Sequence, residues 1–77
     1  MNILLNAVKD DEGFEFWLDL PVIPRIGDKI ILDIDTYDDY AKENLGETDT
    51  FMVDDINYFM IKNSLKTVFI SAKQYEY

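Results

Sequence analysis

The stretch Thr50-Phe51-Met52-Val53-Asp54-Asp55-Ile56-Asn57-Tyr58-Phe59-Met60-Ile61 decides the fold. It is rich in aromatic and β-branched residues and reads as one long strand. Its alternation breaks in the middle. Phe51 and Val53 set one phase, and Ile56, Tyr58 and Met60 set the opposite one. Successive side chains of a strand point to opposite faces, so the break at Asp54-Asp55 needs a structural answer. One extra residue there, a β-bulge, returns all five apolar residues to one face. The alternative is a strand that changes face to serve two sheets. Either way the strand bends, as the strands of small barrels do.

Four further strands frame this one. Asn2 to Lys9 places Ile3, Leu5 and Ala7 on one face. After the turn Asp10-Asp11-Glu12-Gly13, in which Gly13 can take positive φ without steric penalty and the aspartates favour turn hydrogen bonds, Phe14 to Leu20 alternates cleanly: Phe14, Phe16, Leu18 and Leu20 against Glu15, Trp17 and Asp19. Pro21-Val22-Ile23-Pro24-Arg25-Ile26 carries two prolines, which remove ladder donors, so it reads as an extended loop. Gly27-Asp28 turns into a third strand, Lys29 to Asp35, with Ile30, Leu32 and Ile34 inward. Between Thr36 and Glu47, Tyr37, Tyr40, Ala41 and Leu45 fall at helical spacing, with Thr36 or Asp38 as cap and Gly46 as stop. Lys62-Asn63-Ser64-Leu65 turns into the last strand, Lys66 to Lys73, with Val68, Ile70 and Ala72 inward. Gln74-Tyr75-Glu76-Tyr77 forms a tail.

The order β-β-β-α-β-β describes one mainly β domain over residues 1–77. A five-stranded small barrel of SH3-like type is the expected fold. An OB-like barrel or an open sheet packed by one short helix are the alternatives. The string Leu20-Pro21-Val22-Ile23-Pro24-Arg25-Ile26-Gly27-Asp28-Lys29-Ile30, with the later Val53-Asp54-Asp55-Ile56, resembles a pattern in uncharacterised small proteins of bacterial genomes and their mobile elements. The resemblance covers about the middle half of the chain. It implies a Pro-Arg-Ile-Gly-Asp turn before a strand, and it brings no activity with it.

Composition narrows the chemistry. The 77 residues hold no cysteine and no histidine, so disulfides, Cys/His metal sites and catalysis by those residues are excluded. A core of this size supports a stability of about 4–12 kcal/mol by the usual per-residue range. The start lacks the basic region and the apolar length of a secretory signal, and no segment approaches a membrane span, so a cytoplasmic address is expected. There is no phosphate-binding loop, dinucleotide fingerprint or nucleophile elbow. The carboxylate pairs Asp33/Asp35 and Asp54/Asp55 are weighed as acid–base groups and read as solvated surface acids, so a non-enzyme without cofactor is expected. Asp33-x-Asp35-x-Tyr37-x-Asp39 superficially resembles a calcium loop. Tyr37, Asp38 and Asn44 stand where such a loop needs an oxygen ligand, glycine and glutamate, so no metal site is assigned.

The net charge of -9 is uneven. Residues 28–55 hold ten acids and two bases. That polarity opposes direct binding to phosphates. It fits instead an acidic nucleic-acid mimic, with Asp33, Asp35, Asp38, Asp39, Glu43, Glu47, Asp49, Asp54 and Asp55 as the surface offered to a basic groove on a partner protein. The favoured expectation is a non-catalytic protein-interaction module. Trp17, Ile31 and Phe69 are out of phase with the core positions of their strands. If the second, third and fifth strands lie side by side, these residues form one apolar outer patch for a protein partner or for self-association. Exposed strand edges offer a second route, by β-augmentation.

Overall fold

The computed structural model describes residues 2–75. The chain is mainly β, with strands β1 (Asn2–Lys9), β2 (Glu12–Asp19), β3 (Lys29–Asp33), β4 (Thr48–Ile61) and β5 (Ser64–Gln74). One short helix among the described residues, α1 (Asp39–Asn44), preceded by a 3-10 turn (Ile34–Thr36), separates β3 from β4. The five strands form one curled sheet, a half-barrel, in the order β2-β1-β5-β4-β3. All neighbours are antiparallel except β1 and β5, which run parallel at the centre.

Local chemistry sets each connection. Asp10 and Asp11 form the β1–β2 turn with φ of 52° and 64°, between the paired Lys9 and Glu12. Aspartate tolerates this left-handed region better than most residues. The turn is thus tighter than the four residues read from the sequence, and Gly13 does not use its freedom for positive φ. It lies within β2 opposite Val8, and a Cβ on it would come within 2.5 Å of Asn6 Oδ1. The left-handed glycine is Gly27, with φ of 94°. The Arg25 carbonyl accepts from Asp28 N at 2.9 Å, and an Asp28 carboxylate oxygen accepts from Arg25 N at 2.8 Å.

That turn is tied to the long strand. Gly27 N donates to the Val53 carbonyl, and Val53 N donates to the Asp28 carbonyl, each at 2.8 Å. The next residue, Asp54, is the bulge: Val53 pairs with Ala72 and Asp55 with Ser71. The extra residue restores the phase, so Phe51, Val53, Ile56, Tyr58 and Met60 share one face. The Pro-Arg-Ile-Gly-Asp segment and the Val53-Asp54-Asp55-Ile56 segment thus meet, with the turn seated beside the bulge.

The concave face holds the core. Ile3, Leu5 and Ala7 of β1 and Val68, Ile70 and Ala72 of β5 are 0 or 1% exposed, joined by Phe14 and Phe16 of β2, Leu32 of β3 and Phe51 and Val53 of β4. The 3-10 turn and α1 close this face with Tyr37, Ala41 and Leu45. The Tyr37 ring lies 5.9 Å from that of Phe16, and its hydroxyl donates to the Leu32 carbonyl at 3.1 Å. Asp38 caps α1, accepting from Ala41 N at 2.8 Å. The helix is shorter than the apolar spacing suggests. β3 stops at Asp33, which caps the 3-10 turn; Ile34 N still donates to the Glu47 carbonyl as the next rung of the ladder, but Ile34 is exposed rather than inward. At the other end β5 runs on into the expected tail: Gln74 pairs with Phe51, and Tyr75 N donates to the Thr50 carbonyl. Residues 76–77 of that tail lie outside the described residues.

Two substitutions separate the backbone and packing contributions. Gly27→Ala meets no atom within 4 Å, so its expected loss of about 1–2 kcal/mol comes from the left-handed backbone alone. Phe51→Ala empties a fully buried site and should cost about 3–5 kcal/mol. Urea titration of both variants checks the difference. Equal losses would contradict this division.

Candidate interaction face

The convex face of the sheet carries the side chains that the core phase leaves out. Trp17 on β2 pairs with Leu4 on β1, Leu4 pairs with Phe69 on β5, and Phe69 pairs with Asn57 on β4. These four residues form one row across four strands. Phe59, two residues along β4 from Asn57, meets Phe69 edge to face with ring centroids 6.3 Å apart. Trp17 is 66% exposed, Phe59 46% and Phe69 37%. Helix α1 packs on the opposite face, so it does not cover Trp17. Leu4, Asn6, Glu15, Asn57, Phe69, Ile70 and Ser71 line a shallow depression of about 320 Å³ within this face.

The expected patch is therefore partly assembled. Trp17 and Phe69 belong to it, joined through Leu4. Ile31 does not. The second, third and fifth strands are not side by side: β1 separates β2 from β5, and β4 separates β5 from β3. Ile31 is 63% exposed but lies opposite Thr50, seven residues before Asn57 on β4. At the rise of a strand that is roughly 20 Å away along the sheet. Leu4 and Phe59 are the members the sequence reading missed. Their signal was present, since Leu4 is out of phase with Ile3 and Leu5, and Phe59 with Tyr58 and Met60.

The nine acids divide by what they touch. Asp33 accepts from Asp35 N at 3.3 Å and Asp38 caps α1. Asp49 accepts from Gly46 N and from the Gln74 side-chain amide, each at 3.0 Å, and lies 3.5 Å from Lys9 Nζ. Asp54 lies 3.6 Å from Lys73 Nζ, and Asp55 accepts from the Asn57 side-chain amide at 2.9 Å. These five hold local structure. Asp35, Asp39, Glu43 and Glu47 are exposed around the 3-10 turn and α1. Among the described residues no three carboxylates gather as a metal cluster. Likewise, no helix among them is long and apolar enough to cross a membrane.

A second depression of about 370 Å³ lies where the proline loop meets β3, lined by Leu20, Pro21, Val22, Pro24, Asp28, Lys29 and Ile30. Its wall is mostly apolar, with Asp28 and Lys29 as its charged members. No protein-family model, curated protein or solved structure matches the chain.

One titration reports on the closed side of the sheet. Burial, and then the nearby Asp49 carboxylate, raise the Tyr37 phenol above its ordinary value near 10. The raised value favours the neutral form in the folded state. Its contribution to stability is full below pH about 10 and is lost as pH rises through the folded value. Alkaline unfolding followed by circular dichroism should therefore steepen above pH about 10. Tyr37→Phe should flatten that limb while losing the hydrogen bond to Leu32. An unchanged alkaline limb in Tyr37→Phe would contradict the assignment.

Proposed function

We propose that the protein is a non-catalytic protein-interaction module that binds its partner on the convex face of the sheet. The observation that carries this reading is the row Trp17-Leu4-Phe69 with Phe59 beside it, exposed on the side of the sheet that the helix leaves open. Tryptophan and other large aromatics supply much of the binding energy at interfaces, chiefly at the centre of a desolvated patch. Glu15 and Asp19 flank Trp17 on β2, which supplies a polar rim. A cytoplasmic protein of bacterial type, without cofactor, accords with this reading and with the sequence resemblance.

An acidic nucleic-acid mimic is the second reading. It rests on Asp35, Asp39, Glu43 and Glu47, which lie exposed close together in sequence around the 3-10 turn and α1. It is the weaker of the two, because the other five acids are engaged in caps, amide hydrogen bonds and ion pairs within the chain.

Affinity capture from the native host, run at low and high salt, separates the two. The apolar reading expects a partner that survives high salt and is lost with Trp17→Ser. Because Trp17 is largely exposed, that change should move folding stability by less than about 0.5 kcal/mol. A partner that is released by salt and by neutralising Asp35, Asp39, Glu43 and Glu47, but not by Trp17→Ser, would select the mimic instead.

A further inference from the structure

Beyond the core, β4 and β5 continue as a two-stranded ribbon. Every residue from Tyr58 to Lys66 is exposed, including Tyr58, Phe59, Met60, Ile61 and Leu65. The 39 Å long axis of the molecule against 25 and 23 Å in the other directions agrees with such an extension. β3 pairs with β4 only over Thr48–Met52, and the Gly27-Asp28 turn takes up Val53. From Asp55 to Ile61, no strand among the described residues covers the outer edge of β4. An isolated two-stranded ribbon is marginal in water. A long apolar edge is ordinarily blunted by charge, proline or a bulge. Residues 56–61 contain no charge and no proline, and the irregularity in the ribbon leaves Lys66 of β5, not a β4 residue, as the extra one.

Charge identifies what covers this edge. From Ile56 to Tyr75 the chain has Lys62, Lys66 and Lys73 and no acid, whereas residues 2–55 hold fifteen acids and four bases. The edge segment Asp54-Asp55-Ile56-Asn57-Tyr58-Phe59-Met60-Ile61-Lys62 is acidic at its base, apolar in its middle and basic at its tip. A strand with that order of charge is complementary to itself when turned antiparallel. We propose that the outer edge of β4 pairs antiparallel with the same edge of a second copy of this chain, across a twofold axis at Tyr58. Lys62 of each copy then lies opposite Asp54 of the other, Ile56 opposite Met60, and Asn57 opposite Phe59. Opposed residues of an antiparallel pair share a face, so the apolar positions of both copies remain in register. The interface is isologous and closed, giving a dimer rather than a fibre. The convex faces of the two copies join into one ten-stranded sheet with Trp17 still exposed in each, so the dimer does not depend on the partner-binding reading.

The chain has no cysteine, so single cysteines report on the geometry directly. Sedimentation equilibrium of the unaltered protein should give a dimer. Tyr58→Cys should cross-link within that dimer through a short bismaleimide, because position 58 faces its own copy; Trp17→Cys should not. Lys62→Glu places like charges at both ends of the pairing and should weaken the dimer roughly tenfold, with circular dichroism confirming the fold. A monomer up to roughly 1 mM, near the weak limit of useful affinity, would overturn the proposal. So would a dimer that links at position 17 and not at 58, or one that a folded Lys62→Glu leaves unchanged. Loss of the captured partner in Trp17→Ser with the dimer intact bears on the convex face only.

Discussion

The parallel pairing of the first strand with the last holds the molecule together. Ile3 lies opposite Val68, Leu5 opposite Ile70 and Ala7 opposite Ala72, and all six side chains are excluded from water. Each remaining strand attaches to this pair through an antiparallel neighbour: β2 to β1, β4 to β5, and β3 to β4. The contact joins residues more than sixty positions apart. Its loop-closure entropy must be met before any of this burial is gained, which places the chain among slower-folding β topologies.

The pairing also divides the sheet into two surfaces with different tasks. The concave side is sealed by α1 and the 3-10 turn, with Tyr37 reaching the Leu32 carbonyl and Leu45 closing the rim. The convex side receives the complementary set of residues, and because α1 packs on the concave side, no other element among the described residues folds over Trp17. A small chain with one helix can cover only one face of a five-stranded sheet. Apolar side chains on the other face are then available for contact with other molecules. The β4–β5 ribbon follows from the same economy. Beyond Met52 and the Gly27-Asp28 turn, β4 has outrun the chain that could cover its edge.

Much of the fold was legible in the sequence, since period-2 alternation tells which face a residue takes. The phase break at Asp54-Asp55 located the bulge, and the proline loop and the five strands fell close to their observed places. Alternation does not tell which strand lies beside which. The parallel order at the centre is a long-range choice with no local mark, and for that reason Ile31 was grouped with Trp17 and Phe69 although β3 lies at the far edge. The β1–β2 turn was similarly read as longer than it is. Asp10 and Asp11 fill the two-residue turn, so Gly13 was free to enter β2. Leu4 was masked by the run Ile3-Leu4-Leu5, in which alternate apolar residues serve opposite faces. The ribbon's exposure was hidden too, because Tyr58 and Met60 keep the core phase while lying beyond the core.

In the folded protein with no partner bound, the convex face is open to water. Trp17 is the sole tryptophan, so its fluorescence reads that face alone. Its emission maximum should lie close to that of an indole in water and be quenched freely by acrylamide, while circular dichroism shows the β structure intact. A strongly blue-shifted emission that resists acrylamide, in the purified folded protein, would contradict this exposure.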